Sequence, residues 1–443
     1  MIFLAYTFRG GIRLEEHKNT RAKRIETLPA PKTVAIPLLQ HIGAPCVPTV
    51  KVGDTVAIGQ CIGEAASGLS CPVHASVSGK VIAVEDKYAP FGNKLPNIII
   101  ENDMLDTPAD TVKPFDKALT DTSPEEIIEI VRKAGISGMG GATFPTHAKI
   151  SSAIGKADRI IINCAECEPF ICANHRLMLE NPASLVNGVK ILLKALGVHT
   201  AYIAIEDNKL DAANKIEALI ADSEMISVKI LKTKYPQGDE RQLIYALTGR
   251  ELPAGKLPAD VGCVIFNAET CAAVFNAFAY GMPLVRRIVT VDGDCIAEPK
   301  NILAPIGASF RDLIDFCGGL TKTPKKIVVG GPMMGRAVWD PNMSVTKGTS
   351  AILLLSQKHV YTDGTPPACI RCGRCVQNCP MFLMPNYIAQ FSRAREFDRA
   401  EKFGAMSCVE CGTCSYNCPG GLELTNDIRI AKTGIKKLAL LKK

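Results

Sequence analysis

Near the C-terminus the spacing C-x2-C-x2-C-x3-C-P occurs twice, at Cys369, Cys372, Cys375, Cys379 and Pro380 and again at Cys408, Cys411, Cys414, Cys418 and Pro419. Three thiolates at intervals of three residues can wrap one corner of an iron–sulfur cube. The fourth, beside a proline that turns the chain away, ligates the other cube where two are held. The spacing therefore predicts two [4Fe–4S] clusters, one on Cys369, Cys372, Cys375 and Cys418, the other on Cys408, Cys411, Cys414 and Cys379. Structural zinc or disulfides are the alternatives. Zinc takes four ligands per site and leaves the third Cys of each triplet and the repeated Cys-Pro unexplained. A chain with two such clusters moves single electrons.

The 443 residues exceed what one core supports and point to three or four domains. Residues 1–6 are too short for a signal-peptide core, and no uncharged apolar run reaches the ~18 residues that a bilayer span needs. A soluble or peripheral protein is expected. The other ten cysteines, from Cys46 to Cys317, follow no disulfide-framework spacing, which fits a reducing cytosol. The net charge of +7 is modest and predicts no nucleic-acid partner. Much of it sits in residues 429–443, where Arg429, Lys432, Lys436, Lys437, Lys442 and Lys443 meet no acid. Ile435, Leu438 and Leu441 fall there at helical spacing, so the tail reads either as a solvated end weakened by Gly434 or as a short amphipathic segment that presses on a lipid or partner surface.

Four sections follow along the chain. Residues 1–115 contain, over about 30–101, short β-branched segments split by Gly-Asp and Ser-Gly turns, which predict a small β-sandwich or barrel. This stretch is similar to biotinyl and lipoyl carrier domains. A carrier offers a lysine at the exposed hairpin between its halves, where this chain has Gly68-Leu69-Ser70-Cys71-Pro72, so a scaffold is expected. Section two, 116–290, opens with a helix marked by Ser123 at the N-cap, Pro124, a capping box through Glu126, and Gly135 at its end. After it comes a glycine-rich loop holding Gly138, Gly140, Gly141 and Phe144, then Lys149 one turn into the next helix. Bare backbone N–H groups, a helix N-terminus and a lysine suit a phosphate. The spacing is neither G-x-G-x-x-G nor GK[ST], and a plain helix–helix connection is the alternative.

A buried strand at 159–162 leads into Asn163, Glu166 and Glu168, two carboxylates and an amide where α/β sheets present ligands. Strand, helix and strand are predicted over 200–205, 209–221 and 226–231. Two further polar clusters are Tyr235-Pro236-Gln237-Gly238-Asp239-Glu240 and Asn267-Ala268-Glu269-Thr270, for whose acids a solvated helix start is the plain alternative. Section three, 291–355, carries predicted strands at 326–329 and 350–355 and no evident chemistry. In section four, 356–443, helical character over 386–395 and 397–403 predicts a helical two-cluster domain.

The glycine loop with Phe144-Pro145-Thr146, Asn-x-x-Glu-x-Glu-Pro, Gly-Asp-Glu and Asn-x-Glu-Thr occur in the order of the flavin- and NADH-binding subunit of respiratory complex I. The whole chain, including Phe8-Arg9-Gly10-Gly11-Ile12, Lys234-Tyr235-Pro236-Gln237-Gly238, Leu247-Thr248-Gly249-Arg250 and Gly330-Gly331-Pro332-Met333-Met334-Gly335, resembles the C subunit of the Rnf electron-transport complex. The paired Cys motifs and residues 30–101 favour that family over complex I.

The resemblance implies a multidomain α/β protein: a barrel-sandwich-like domain, an α/β FMN/NADH domain, a β-grasp-like (SLBB-type) module and a ferredoxin-like domain with two [4Fe–4S] clusters. It implies FMN on Gly138, Gly140, Gly141 and Lys149, with Asn163 and Glu166 near its ring or ribityl chain. Phe144, Glu168, Tyr235 and Glu240 would face the nicotinamide nucleotide, Glu168 and Glu240 in catalytic roles, with Gly238, Asp239 and Asn267 completing the cofactor site. A carboxylate at Glu240 beside the adenine ribose would repel a 2′-phosphate and favour NADH. An acid common in complex I is Ala165 here, and an adenine-stacking aromatic is Ser152.

The implied activity passes electrons between NAD(H), FMN and the clusters to or from partner subunits that join ferredoxin to ion transport, from a peripheral seat on the cytoplasmic side of the bacterial membrane. NADH yields two electrons at once and a cluster takes one, so a flavin must stand between them. The alternatives are a flavin-dependent cobalamin reductase of the propanediol-utilisation type and a non-catalytic iron–sulfur scaffold.

Overall fold

Four largely apolar segments make a parallel sheet in the order Ile226–Leu231, Ala201–Glu206, Arg159–Cys164, Cys263–Asn267, its edge strand Ile226–Leu231 only partly buried. The computed structural model describes residues 5–65, 67–89, 92–360 and 368–441 of the chain; Lys442 and Lys443 of the basic tail lie outside them. The chain leaves Arg159–Cys164 toward one edge and reaches Cys263–Asn267 on the other side, so the strand order reverses between these two neighbours. Ligands of such sheets gather at the carboxyl ends beside that reversal. Helices Leu210–Leu219 and Ala268–Tyr280 pack on the sheet, Pro182–Leu196 packs on both of them, and Pro124–Lys133 packs on Pro182–Leu196 and Ala268–Tyr280. Helix Pro124–Lys133 begins with the full capping box, Ser123 accepting from the Glu126 N–H and Glu126 from the Ser123 N–H.

The N-terminal section folds as two small sheets. Thr33–Pro37, Lys94–Asn102, Gly79–Tyr88 and Thr55–Val56 form one, and Cys46–Pro48, Cys61–Ala65 and Val73–His74 the other. Register pairs such as Val34 with Ile100 and Ile36 with Ile98 turn an apolar face inward, where Ile62, Val73 and Val81 complete the core. Ser70 and Cys71 are buried rather than displayed on an exposed hairpin. Lys347, 1% exposed, donates to the Pro72 and Gly135 carbonyls and ties this turn to the flavin domain. The turn has no freedom to swing.

A six-stranded sheet runs Ile25–Thr27, Lys300–Pro305, Arg286–Asp292, Ala351–Leu355, Lys326–Val329, Arg336–Val338. Its strand Arg286–Asp292 starts upstream of residue 291, and its edge strand Ile25–Thr27 comes from the N-terminal arm, in parallel register with 301–303. Farther up the arm, Tyr6 bridges Leu231 and Ile12 bridges Tyr235. Between them Gly10, at φ +75, lies so close to the cluster domain that a Cβ would stand 2.8 Å from the Cys379 carbonyl oxygen. The Gly11 N–H donates to the Asn378 carbonyl at 2.9 Å. Only glycine can pass there with that backbone.

Helices Pro385–Arg393, Phe397–Lys402 and Leu424–Leu441 pack the cluster domain around Ile388, Phe391, Ala400, Ile428 and Ala431. Ile435 belongs to that core, 5% exposed, so the apolar stripe expected of the tail turns inward at its first residue. Gly434 does not break the helix, because it is where the Phe397 ring packs. No helix among the described residues is long and apolar enough to cross a membrane.

Candidate functional site

The glycine loop is held at both ends and open in the middle. Gly138 N–H donates to the Phe144 carbonyl at 2.8 Å, and Met139 N–H to Thr270 Oγ1 at 3.0 Å. Arg287, 2% exposed, donates to the Met139 carbonyl at 2.9 Å and pairs with Glu269 at 3.0 Å, whose other oxygen accepts the Ile288 N–H. Breaking one partner of such a buried pair costs about 3–5 kcal/mol, so the loop's position is set from beneath. A Cβ on Gly140 would stand 3.4 Å from Asn267, whereas one on Gly141, at φ +126, would enter open space. That open side is where a ligand's phosphate can approach bare backbone.

Around it stand most of the residues singled out in the sequence. Lys149 Nζ donates to the Ile265 carbonyl at 3.0 Å and meets Glu240 Oε1 at 3.3 Å. Asn163 and Asn267 are register partners at the strand ends, and Asn163 Nδ2 donates to the Gly238 carbonyl at 2.7 Å. Asp239 N-caps helix Glu240–Thr248, accepting from the Arg241 and Gln242 N–H groups, and burial pushes its carboxyl up to about 6. The Gln237 amide is fully buried, and neither end has a protein partner among the described residues. A bare backbone edge beside one lysine fits a phosphate-bearing ligand such as FMN.

Three of the expected site residues point elsewhere. Glu166, at φ +52, accepts from the Asn174 and His175 N–H groups and so caps the next helix, with burial raising its pKa. Glu168 accepts from the Met333 and Met334 N–H groups at 3.0 and 2.9 Å and ties the flavin loop to the six-stranded module. Burial pushes Glu168 up to about 7 against those two donors. Tyr235, expected at the nicotinamide nucleotide, is 1% exposed and donates to the Cys411 carbonyl at 2.6 Å.

Sequence reasoning missed the cations beneath this loop. Lys18 of the arm donates to the carbonyls of Glu166, Glu168 and Ile171, one for each ammonium proton. Lys209, 2% exposed, bonds the Ala165 carbonyl and pairs with Glu206. Neither lysine has a local signal, since each partner is set by tertiary packing. Arg287 is hidden for the same reason.

The cysteines fall into two groups. Cys379 of the first motif lines one pocket with Cys408, Cys411 and Cys414 of the second. Cys375 and Cys418 pack on Ala389, Leu422 and Leu424, a cluster that Cys414 also joins. Burial pushes the Cys408 thiol up to about 12 and Cys414 up to about 11, so thiolates there call for a cationic partner. Backbone N–H groups of Leu383 and Glu410 already point at the sulfurs of Cys379 and Cys408, at 3.4 and 3.3 Å. Among the described residues no three Cys, His or acidic side chains converge on a single-ion site. The doubled C-x2-C-x2-C-x3-C-P spacing suits a cube, whose thiolates bind different irons. The set with Cys379, the inner one, faces the flavin domain, where Gln242 Nε2 donates to the Pro380 carbonyl at 3.3 Å. Cys369 and Cys372 of the outer set are exposed.

The chain is 45% identical over 431 residues to the C subunit of the Na(+)-translocating ferredoxin:NAD(+) oxidoreductase complex of Acetobacterium woodii, covering 97% of each. The chain belongs to the RnfC family. It is also 45% identical to the C subunit of the proton-translocating ferredoxin:NAD(+) oxidoreductase complex of Clostridium ljungdahlii, over 89% of this chain and 86% of that one. With the C subunit of the ion-translocating oxidoreductase complex of Rhodobacter capsulatus it shares 42%, over 97% and 83%.

Family models match in sequence: the RnfC barrel sandwich hybrid domain at 6–105, the Nuo51 FMN-binding domain at 131–276, the SLBB domain at 288–337 and the 4Fe-4S dicluster domain at 368–423. An NAD+-reducing [NiFe]-hydrogenase in the air-oxidised state aligns with TM-score 0.50 at 21% identity, over 71% of this chain and 62% of that one, a likeness of fold alone. The RnfC family takes the place of the cobalamin-reductase alternative, and FMN and [4Fe–4S] clusters are its cofactors.

Proposed function

We propose that this chain is the NADH-interacting subunit of a membrane-associated Rnf-type NADH:ferredoxin oxidoreductase, seated peripherally on the cytoplasmic side and working with ion-transporting partner subunits. The carrying observation is that the cleft and the inner cysteine set belong to one continuous contact, joined by Gln242 and Tyr235. FMN, when bound, exchanges a hydride with NADH and single electrons with iron–sulfur clusters.

The chain's own residues supply position and polarity for this chemistry. Gly138, Gly140, Gly141 and Lys149 take the flavin phosphate, and Asn163 and Asn267 line the strand ends beside it. Phe144 and Glu240 face the nucleotide, and Glu240 disfavours a 2′-phosphate. Glu168 and Glu166 act by fixing the loop between them rather than by open carboxylates. Cys379, Cys408, Cys411 and Cys414, three of them buried, would hold the inner cluster. Cys369, Cys372, Cys375 and Cys418 hold the outer one, whose exposed end is open to an electron partner.

The test is an anaerobic spectrum before and after NADH, on wild type and Gly141→Val. Wild type should contain about eight irons, two clusters' worth, and should bleach in the flavin and cluster bands. Gly141→Val fills the open side of the loop and strains its backbone, so FMN should be lost with both clusters kept. Stoichiometric FMN in that variant, or a wild type indifferent to NADH, would refute the reading.

A further inference from the structure

Tyr235 sits where the flavin domain, the N-terminal arm and the cluster domain meet. Its backbone N–H and carbonyl both bond Ile12, each at 2.8 Å. The ring packs with Ile12 and Cys411, and Cys167, Met333 and Val409 close around them. Its hydroxyl donates to the carbonyl of Cys411, the middle cysteine of the second triplet.

The surrounding backbone leaves it no latitude. A side chain at Gly11, where φ is +70, would strike the Tyr235 carbonyl. One at Gly412, the residue after Cys411, would come within 2.9 Å of the Met333 carbonyl oxygen. The Met333 N–H is in turn held by Glu168. Arm, flavin loop and module loop thus converge on one peptide of the inner cysteine set.

A hydrogen bond aimed at a cluster's ligand segment has a definite electrical sense. The positive end of the O–H dipole lies against the Cys411 peptide, and a reduced cluster would carry one more negative charge than an oxidised one. Hydrogen bonding and burial of this kind set cluster potentials. We propose that Tyr235 is a positioning residue for the inner cluster, whose O–H bond to the Cys411 peptide raises that cluster's reduction potential, and that it does not contact the nicotinamide nucleotide.

This inference rests on the reading that Cys379, Cys408, Cys411 and Cys414 hold a cluster. It is tested by EPR-monitored redox titration of the anaerobic full-length protein carrying Tyr235→Phe, which keeps the ring and removes the donor. One cluster's midpoint should move to more negative potential, with the other midpoint, the FMN content and the KM for NADH in a dye assay unchanged. In a Cys375→Ser background, which lacks the outer cluster, the shift should persist. Should Tyr235→Phe fail to assemble, Gln242→Leu removes the neighbouring bond to Pro380 and must lower the same midpoint. Unchanged midpoints overturn the inference, and a raised KM for NADH beside them would place the hydroxyl at the nucleotide. A shift confined to the outer cluster also overturns it. A wild type without two clusters would remove the underlying reading, and this inference with it.

Discussion

Lys149 and Glu240 face each other across the mouth of the cleft, Nζ to Oε1 at 3.3 Å, the lysine from the helix after the glycine loop and the acid from the first turn of another helix. The lysine side chain is 28% exposed and the acid 46%. A pair so open to water is worth under about 1 kcal/mol, so it is not there for stability.

Glu240→Ala should therefore leave thermal stability nearly unchanged, within roughly 0.5 kcal/mol. Its effect belongs in substrate choice: the ratio of kcat/KM for NADH over NADPH should fall, because the carboxylate that repels a 2′-phosphate is gone. An unchanged ratio would take Glu240 out of that role.

For the cysteines, the expectation is one of pairing. Cys375→Ser and Cys418→Ser should erase the same EPR signal, since the doubled C-x2-C-x2-C-x3-C-P spacing assigns both thiolates to one cluster. Cys379→Ser should erase the other, since its thiol lines the cavity of Cys408, Cys411 and Cys414. Loss of the second-triplet signal in Cys418→Ser would break the crossed assignment.

The capping box at Ser123 was legible in the sequence, where neighbouring residues alone make a helix start. The parallel strands could be read from apolar runs that a doubly covered sheet requires. Residues 8–12 could be noticed but not explained, because Gly10 and Gly11 answer to Cys379 and Tyr235, hundreds of residues away. Ile25–Thr27 carries no signal that it completes a sheet with 301–303. The direction of the Tyr235 side chain was equally hidden, since a tyrosine beside a cleft can turn either way until its neighbours are placed.

Glu168 gives the protein a pH dependence of known sign. Burial raises its pKa from 4.5 to about 7, so the folded chain keeps a proton that the unfolded chain releases. The stability that goes with this proton is complete below the unfolded value and is lost as pH rises through about 7. Asp239 and Asp292, also raised by burial to about 6, act in the same sense at slightly lower pH. Thermal unfolding should thus occur at lower temperature at about pH 8 than at about pH 6, Glu168 contributing on the order of 2 kcal/mol. Glu168→Gln should narrow that difference while lowering stability overall, because an amide nitrogen cannot accept from Met333 or Met334. A pH difference identical to wild type would show that the proton is not on Glu168.

Gly434 separates two effects that oppose each other. In the middle of helix Leu424–Leu441, replacing glycine by alanine should gain about 1 kcal/mol from helix propensity alone. A Cβ there, however, would stand 2.6 Å from three carbons of the Phe397 ring, on the helix packed alongside. Overpacking of this kind costs about 1–3 kcal/mol, and the half-buried ring is packed against the core of the cluster domain. Gly434→Ala should therefore destabilise the cluster domain, seen as faster loss of cluster absorbance on heating. The same substitution in a Phe397→Ala background should stabilise, since the ring that opposes it is absent and only the propensity gain remains. Stabilisation by Gly434→Ala in the wild-type background would mean that the tail helix does not press on Phe397, and that Ile435 beside it is free to face another surface.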